Sequence, residues 1–370
     1  MDYKSRQQRL RAALQNTRLD ALLVTHLPNI LYVSGFTGSS AVVVLTKDRS
    51  VFFSDGRYIA QAKDEVENSR IVIGRKAPIL SAAEWLLANR RNFNRHGASN
   101  SQSLNIGIEG EHLTVSARAR LSKTLGASFK LKESPLLIEQ ARMVKDPEEI
   151  LLIRAAVQMS ATLFDHVLNT IKPGVIENEV AAELEFAARK AGAEQMSFPT
   201  IIASGKRSAL PHGVAPRAKI PAKGFVVCDF GVILAGYCSD MTRTVHVGNP
   251  TAEARSVYES VRQAQQAAVE AVKPGKSVAE VDSAARKLLK DEGLEKYFSH
   301  STGHGVGLEI HESPRIATGQ ADLLRLGMVI TVEPGVYIPG KFGVRIEDML
   351  LVTKTGCEVL TPTSKELITL

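Results

Sequence analysis

Residues 224–244 read GFVVCDFGVILAGYCSDMTRT, a glycine-led apolar strand pattern that ends at Asp229, followed by a second extended stretch entered at Asp240. An ionised carboxylate among apolar residues is costly unless something pairs with it. The same order returns later in the chain. Residues 327–336 read GMVITVEPGV and end their strand pattern at Glu333, and Glu347 follows in GVRIED, residues 343–348. Upstream, Lys172-Pro173-Gly174 recurs as Lys273-Pro274-Gly275, each ahead of an amphipathic helix pattern: IENEVAAELEFAARKAG at 176–192 and SVAEVDSAARKLLKDEG at 277–293. One similar helix would mean little. The shared order of Lys-Pro-Gly, helix, strand, acid, strand, acid argues for two halves related by a pseudo-twofold axis. They are expected to face each other across one site, with sheets inside and helices outside.

Ahead of this repeat the chain alternates helical and extended patterns: a helix over 6–16 and strands over 20–25, 41–46 and 50–54. The glycine-rich GFTGSS at 35–40 lacks the Lys-Ser/Thr ending of a phosphate loop and reads as a turn. Asp146-Pro147-Glu148-Glu149 supplies an N-cap, a first-turn proline and acids that suit a helix dipole, which predicts a long helix over 147–170. The fold class is therefore α/β (α+β) in two domains, a smaller α/β domain over 1–135 and the repeat domain over 136–370.

Composition narrows the function. The 370 residues carry 46 Lys and Arg against 39 Asp and Glu, a formal charge of +7. The densest basic run, Arg90, Arg91, Arg95 and His96, is short and free of interleaved aromatics, so no nucleic-acid partner is expected. Three cysteines without C-x-x-C spacing fit neither a disulfide framework nor a zinc site and suggest a reducing compartment. The charged opening MDYKSRQQRLRAALQ and the lack of a run of about eighteen apolar residues argue against a signal peptide, a membrane span and a membrane partner. A cytoplasmic location is expected.

Strand parity places Asp240 with Thr242 and Thr244, and Glu347 with Arg345 and Gly343. The repeat thus brings Asp229, Asp240, Glu333 and Glu347 to equivalent places around one axis. Two carboxylates about 4 Å apart repel by roughly 4 kcal/mol at an effective dielectric of about 20. Either protons or cations must sit among them. Two divalent ions balance four carboxylates, and hard oxygen donors suit manganese, cobalt, magnesium or zinc better than copper. Of nine histidines, His26, His96, His112, His166 and His246 stand alone in regular patterns and read as surface or satisfied core residues. His212, His300, His304 and His311 lie instead in segments marked by glycine or proline. Gly303, Gly305 and Gly307 exclude a helix, and His304 between two glycines is placed to be the single nitrogen ligand. His304 and His311 have opposite strand parity, so one site requires a bend or bulge between them.

These residues, in the settings DFG, SDMTRT, TGHGVGLEIHESPRI, VEPGVY and GVRIED, resemble the metal-binding set of the pita-bread metallopeptidases. That group includes Xaa-Pro dipeptidase (prolidase), aminopeptidase P and methionine aminopeptidase. NILYVSGFTGSS and SDGRYIAQA resemble the N-terminal domain of its proline-specific branch. The resemblance implies hydrolysis of the bond before proline in short peptides, with two divalent metal ions per chain, manganese foremost and cobalt or zinc as alternatives. It implies that Asp229 binds one ion in bidentate fashion, that Asp240 and Glu347 bridge the pair, and that His304 and Glu333 complete the second site. A hydroxide between the ions would be the nucleophile and Glu333 its general base. His212 and His311 match the histidines that hydrogen-bond the substrate carbonyl and the developing oxyanion. His300 matches a third in the substrate pocket. Arg345 would border the substrate and fix ligand carboxylates, and Arg315 matches an arginine that holds a dipeptide's carboxylate. A homodimer is the implied assembly. The alternatives are a general or methionine aminopeptidase of the same fold and a non-catalytic binding module.

Overall fold

The structure is a computed structural model and describes residues 1–93 and 103–370; Arg95 and His96 of the basic run lie outside the described residues. The chain divides into two compact units, Met1–Arg142 and Met143–Leu370.

The first unit is built on a six-stranded sheet ordered Arg70–Gly74, Ser50–Asp55, Ala41–Thr46, Ala21–Val24, Leu104–Ile108, Phe129–Glu133. Ala41–Thr46 is buried at every position, as its unbroken apolar run requires of an inner strand. The predicted first helix spans Tyr3–Gln15. GFTGSS is a turn: Gly35, at φ 83°, caps the Leu27–Ser34 helix, and a Cβ there would stand 2.8 Å from the Glu65 carbonyl oxygen. Buried Glu109 is satisfied by the Thr25 and His26 amides and the Asn29 side chain. Above it His26 stacks on His112 at 3.5 Å, which agrees with a structural reading of both.

The second unit opens with the Pro147–Thr170 helix. Asp146 accepts the Glu149 amide at 3.0 Å, and the Glu149 carboxylate accepts the Asp146 amide at 2.9 Å, a closed capping box. Contrary to the sequence reading, this helix is by length and composition apolar enough to cross a membrane. Its apolar face is used elsewhere: Ala156, Leu163, Phe164 and Val167 join a core with the Glu177–Lys190 helix.

The repeat is visible bond by bond. The two predicted helices, Glu177–Lys190 and Val278–Asp291, have 14 residues each. Gly174 donates its amide to the Ile220 carbonyl at 2.9 Å, and Gly275 donates to that of Leu324 at 2.8 Å. Both glycines have positive φ, 85° and 82°. In the first copy Gly224–Phe230 is the middle strand between Ile201–Ser204 and Met241–Val247. In the second, Val329–Val332 runs between Gly303–Gly305 and Asp348–Val352. Val226, Cys228 and Phe230 enter the core beneath the first helices, which turns Asp229 to the opposite face. Ile330 and Val332 enter the core beneath the Ala252–Ala271 and Val278–Asp291 helices, which does the same for Thr331 and Glu333. The three cysteines are free thiols.

Candidate metal centre

Register brings the first acid into place. Asp229 stands opposite Thr242 in the antiparallel pair of Gly224–Phe230 and Met241–Val247. The second copy is stitched to that strand by two threonines. Thr242 donates its hydroxyl to Glu347 Oε2 at 2.7 Å, and Thr244 donates its own to the Arg345 carbonyl at 2.8 Å. Arg345, 3 % exposed, donates to Thr242 Oγ1, the Tyr337 hydroxyl, the Pro211 carbonyl and Asp229 Oδ2. Burial opposes its charge, but Tyr337, Asp229 and Glu333 outweigh it and hold the guanidinium ionised.

His304 lies between glycines because nothing larger fits. A Cβ on Gly303 would stand 2.0 Å from the Thr331 carbonyl oxygen, and one on Gly305 2.3 Å from that of Ser313. The His304 amide donates to Thr331 Oγ1 at 3.1 Å, and its Nδ1–H to the Gly305 carbonyl at 3.0 Å. That fixes the tautomer, and Nε2 presents its lone pair to the acids. Nε2 is 3.5 Å from Asp240 Oδ2 and 3.4 Å from Glu333 Oε1. The parity conflict with His311 is resolved by a register shift after His304, where Gly303–Gly305 pairs with Glu312–Ile316. The two imidazoles meet edge to face, with centroids 4.5 Å apart.

His212, His300, His304, His311, Arg315, Arg345 and the four acids all line one cavity of about 680 Å³. His212, His311 and Arg315 are exposed at its rim. Arg315 is the cross-strand partner of His304. His300 has both nitrogens engaged: Nδ1–H donates to the Ser301 carbonyl at 2.8 Å, and Nε2 accepts from the Tyr337 hydroxyl at 2.9 Å. Burial, aided by Arg345, lowers its pKa to about 4. His246, outside the cavity, is a satisfied core histidine on the Gly248 carbonyl. Sequence reasoning passed over Tyr337 and Thr331. Tyr337 shares its parity with Glu333 across VEPGVY, the one signal that marks it.

Among the described residues, Asp240, His304 and Glu347 bring one ligand atom each within 4.8 Å of one another. Asp229 and Glu333 flank them along the cavity wall. Burial, then the charges of Glu347, Asp229 and Glu333, push Asp240 well above the usual carboxylate range. Glu347 is raised likewise by burial and by Glu333 and Asp229. Burial lifts Glu333 to about 7 against the pull of Arg345. Burial, then His311, lowers His304 to about 4, which leaves it neutral at pH 7. Asp229 Oδ1 and Glu347 Oε1 are buried without a hydrogen-bond partner. Buried carboxylates that resist ionisation, two orphaned oxygens and one neutral imidazole form a donor set that fits hard divalent cations.

Residues 152–354 match the model of metallopeptidase family M24, and residues 6–144 match the creatinase/prolidase N-terminal domain. The Xaa-Pro dipeptidase of Pyrococcus furiosus is 37 % identical over 99 % of this chain and 100 % of its own length. The solved structure of the Xaa-Pro dipeptidase from Bacillus anthracis is 40 % identical, with a TM-score of 0.92 and full coverage of both chains. That of the X-Pro aminopeptidase from Thermotoga maritima is 34 % identical, with a TM-score of 0.86 over 97 % of this chain and 100 % of its own. The protein is thus a member of metallopeptidase family M24, a creatinase-like N-terminal domain followed by a pita-bread catalytic domain.

Proposed function

We propose that this metallopeptidase hydrolyses the bond before proline in Xaa-Pro dipeptides, with two divalent ions, manganese foremost, held by Asp229, Asp240, His304, Glu333 and Glu347. The observation that carries it is the pair of orphaned buried oxygens, Asp229 Oδ1 and Glu347 Oε1, in the cavity that all five donors line. When bound, such ions polarise the scissile carbonyl and supply a nucleophile at neutral pH.

The chain's own groups do the rest. Glu333, a carboxylate on the cavity wall beside His304, is suited to take a proton from the attacking water and pass it to the departing proline nitrogen. His311 and His212, at the rim, are placed to hydrogen-bond the carbonyl oxygen as charge develops on it. Thr242 orients Glu347, and Arg345 orients Asp229, so that the ligands are fixed before substrate arrives. Arg315, beside His304 on the neighbouring strand, offers a bidentate partner for a dipeptide's terminal carboxylate. That favours a dipeptidase over an aminopeptidase acting on longer Xaa-Pro peptides.

The decisive measurement is turnover of Xaa-Pro against Xaa-Pro-Yaa and Met-Ala-Ser on manganese-loaded protein. Faster cleavage of the dipeptide is expected; preference for either tripeptide overturns the dipeptidase reading. Asp240→Ala is expected to lose bound metal and at least about 10³-fold in rate, because several kcal/mol of charge stabilisation go with it. Full activity in metal-free Asp240→Ala protein would sink the metal mechanism. The proposed homodimer is checked by light scattering, where a monomer removes it.

A further inference from the structure

Lys145 and Glu312 form a buried ion pair, with Nζ 3.0 Å from Oε2 and the two side chains 1 % and 5 % exposed. The lysine is set by its backbone. Its amide donates to the Gly327 carbonyl at 2.9 Å, and the preceding Val144 bridges to Met328. Glu312 directly follows His311 and begins the strand paired to Gly303–Gly305. Its Oε1 accepts the Glu309 amide at 3.2 Å and so reaches back across the turn that carries His311. Gly307 packs against the same carboxylate, where a Cβ would stand 2.7 Å from its oxygens, and the Gly307 carbonyl accepts the Cys238 amide at 2.8 Å. One oxygen of Glu312 therefore holds the turn, and the other is held by Lys145.

Removing two charges from water this completely offsets most of their attraction, so such a pair is weak evidence for stability. Position is what it supplies. Glu312 also lines the cavity that His311 borders. We propose that Lys145 is a positioning residue for the reaction: through Glu312 it fixes the 307–311 turn and hence the His311 ring over His304. The inference rests on the reading of His311 as a catalytic group.

The test uses full-length, metal-loaded protein carrying Lys145→Met, Lys145→Arg, Glu312→Gln and the pair Lys145→Met with Glu312→Gln. A misplacement of about 1 Å at a reacting group costs up to about 10²-fold, so Lys145→Met is expected to lower kcat about 10- to 100-fold. KM is expected to stay within about twofold, because Arg315 and the ions are untouched, with metal per chain as in the parent. The imidazole ¹⁵N resonances of His311 in the zinc-loaded protein should shift, Lys145→Arg should recover part of kcat, and the pair should lose no more than the worse single variant. Parental kcat and an unmoved His311 resonance in folded Lys145→Met overturn the proposal, as do losses that multiply in the pair. Should the single variant fail to fold, the neutral pair strands no charge and is expected to show the same loss; parental kcat there overturns the proposal. If the parent cleaves no Xaa-Pro peptide, the substrate reading fails by itself, and the His311 resonance still decides the role of Lys145.

Discussion

At the scale of single residues, the centre is governed by which atoms already have a partner. Thr242, the Gly305 carbonyl and Arg345 each occupy one donor or acceptor of a candidate ligand, and what remains exposed to the cavity is what a cation takes. The five candidate donors could be singled out in the sequence because the repeat supplied two views of the same strand and acid, and because glycines stand on both sides of His304. Tyr337 and the Lys145–Glu312 pair could not. Parity with Glu333 is the single mark on Tyr337 and the lysine carries none, and their meaning lies in partners elsewhere in the chain. Arg315 has a separable role: it touches neither orphaned oxygen and stands at the rim. A charge-assisted hydrogen bond to a carboxylate contributes about 1.5–3 kcal/mol. Arg315→Ala is therefore expected to raise KM for Xaa-Pro about 10- to 100-fold while sparing kcat, measured as initial rates on dipeptide and tripeptide; an equal change for both peptides would show that the arginine does not read the carboxylate.

At the scale of elements, helices were easier to read than sheets. The Pro147–Thr170 helix and the two repeat helices announce themselves through local chemistry: an N-cap acid, a first-turn proline, a glycine on either side. Which strands lie side by side is a non-local matter, and neither the five-stranded sheet nor its bulge after His304 follows from periodicity. Parity indicated only that some bulge was required. The Gly303–Gly305 strand tolerates little change, since an added methyl on Gly303 would overlap the Thr331 carbonyl, which is backbone and cannot step aside. Gly303→Ala is expected to cost about 1–3 kcal/mol or more through forced separation of the strands, and to abolish tight metal binding by moving His304. Thermal unfolding together with metal titration measures both, and unchanged affinity would show that His304 is not held by this strand.

At the scale of the whole molecule, the acid cluster couples stability to pH and metal. A group whose pKa is higher folded than unfolded stabilises the fold at low pH and loses that contribution as pH rises. For Glu333 the fall runs from its ordinary value of 4.5 to about 7, and Asp240 and Glu347 are shifted in the same direction. Metal-free protein is thus expected to lose stability from these groups between about pH 4.5 and 7, on the order of 3 kcal/mol from Glu333. Divalent metal at a hundredfold over its Kd should restore about 2.7 kcal/mol. Denaturant melts across this range, with and without manganese, check the sign; a metal-free protein that gains stability toward pH 7 would contradict it. The donors are also divided between the two copies of the repeat: Asp229 and Asp240 belong to the first, and His304, Glu333 and Glu347 to the second. On the ribosome the first copy emerges with two of the proposed carboxylate ligands and without the proposed imidazole ligand, and the remaining three follow with the second copy. A product truncated before Glu347 therefore lacks part of the proposed donor set and is expected not to load a complete centre.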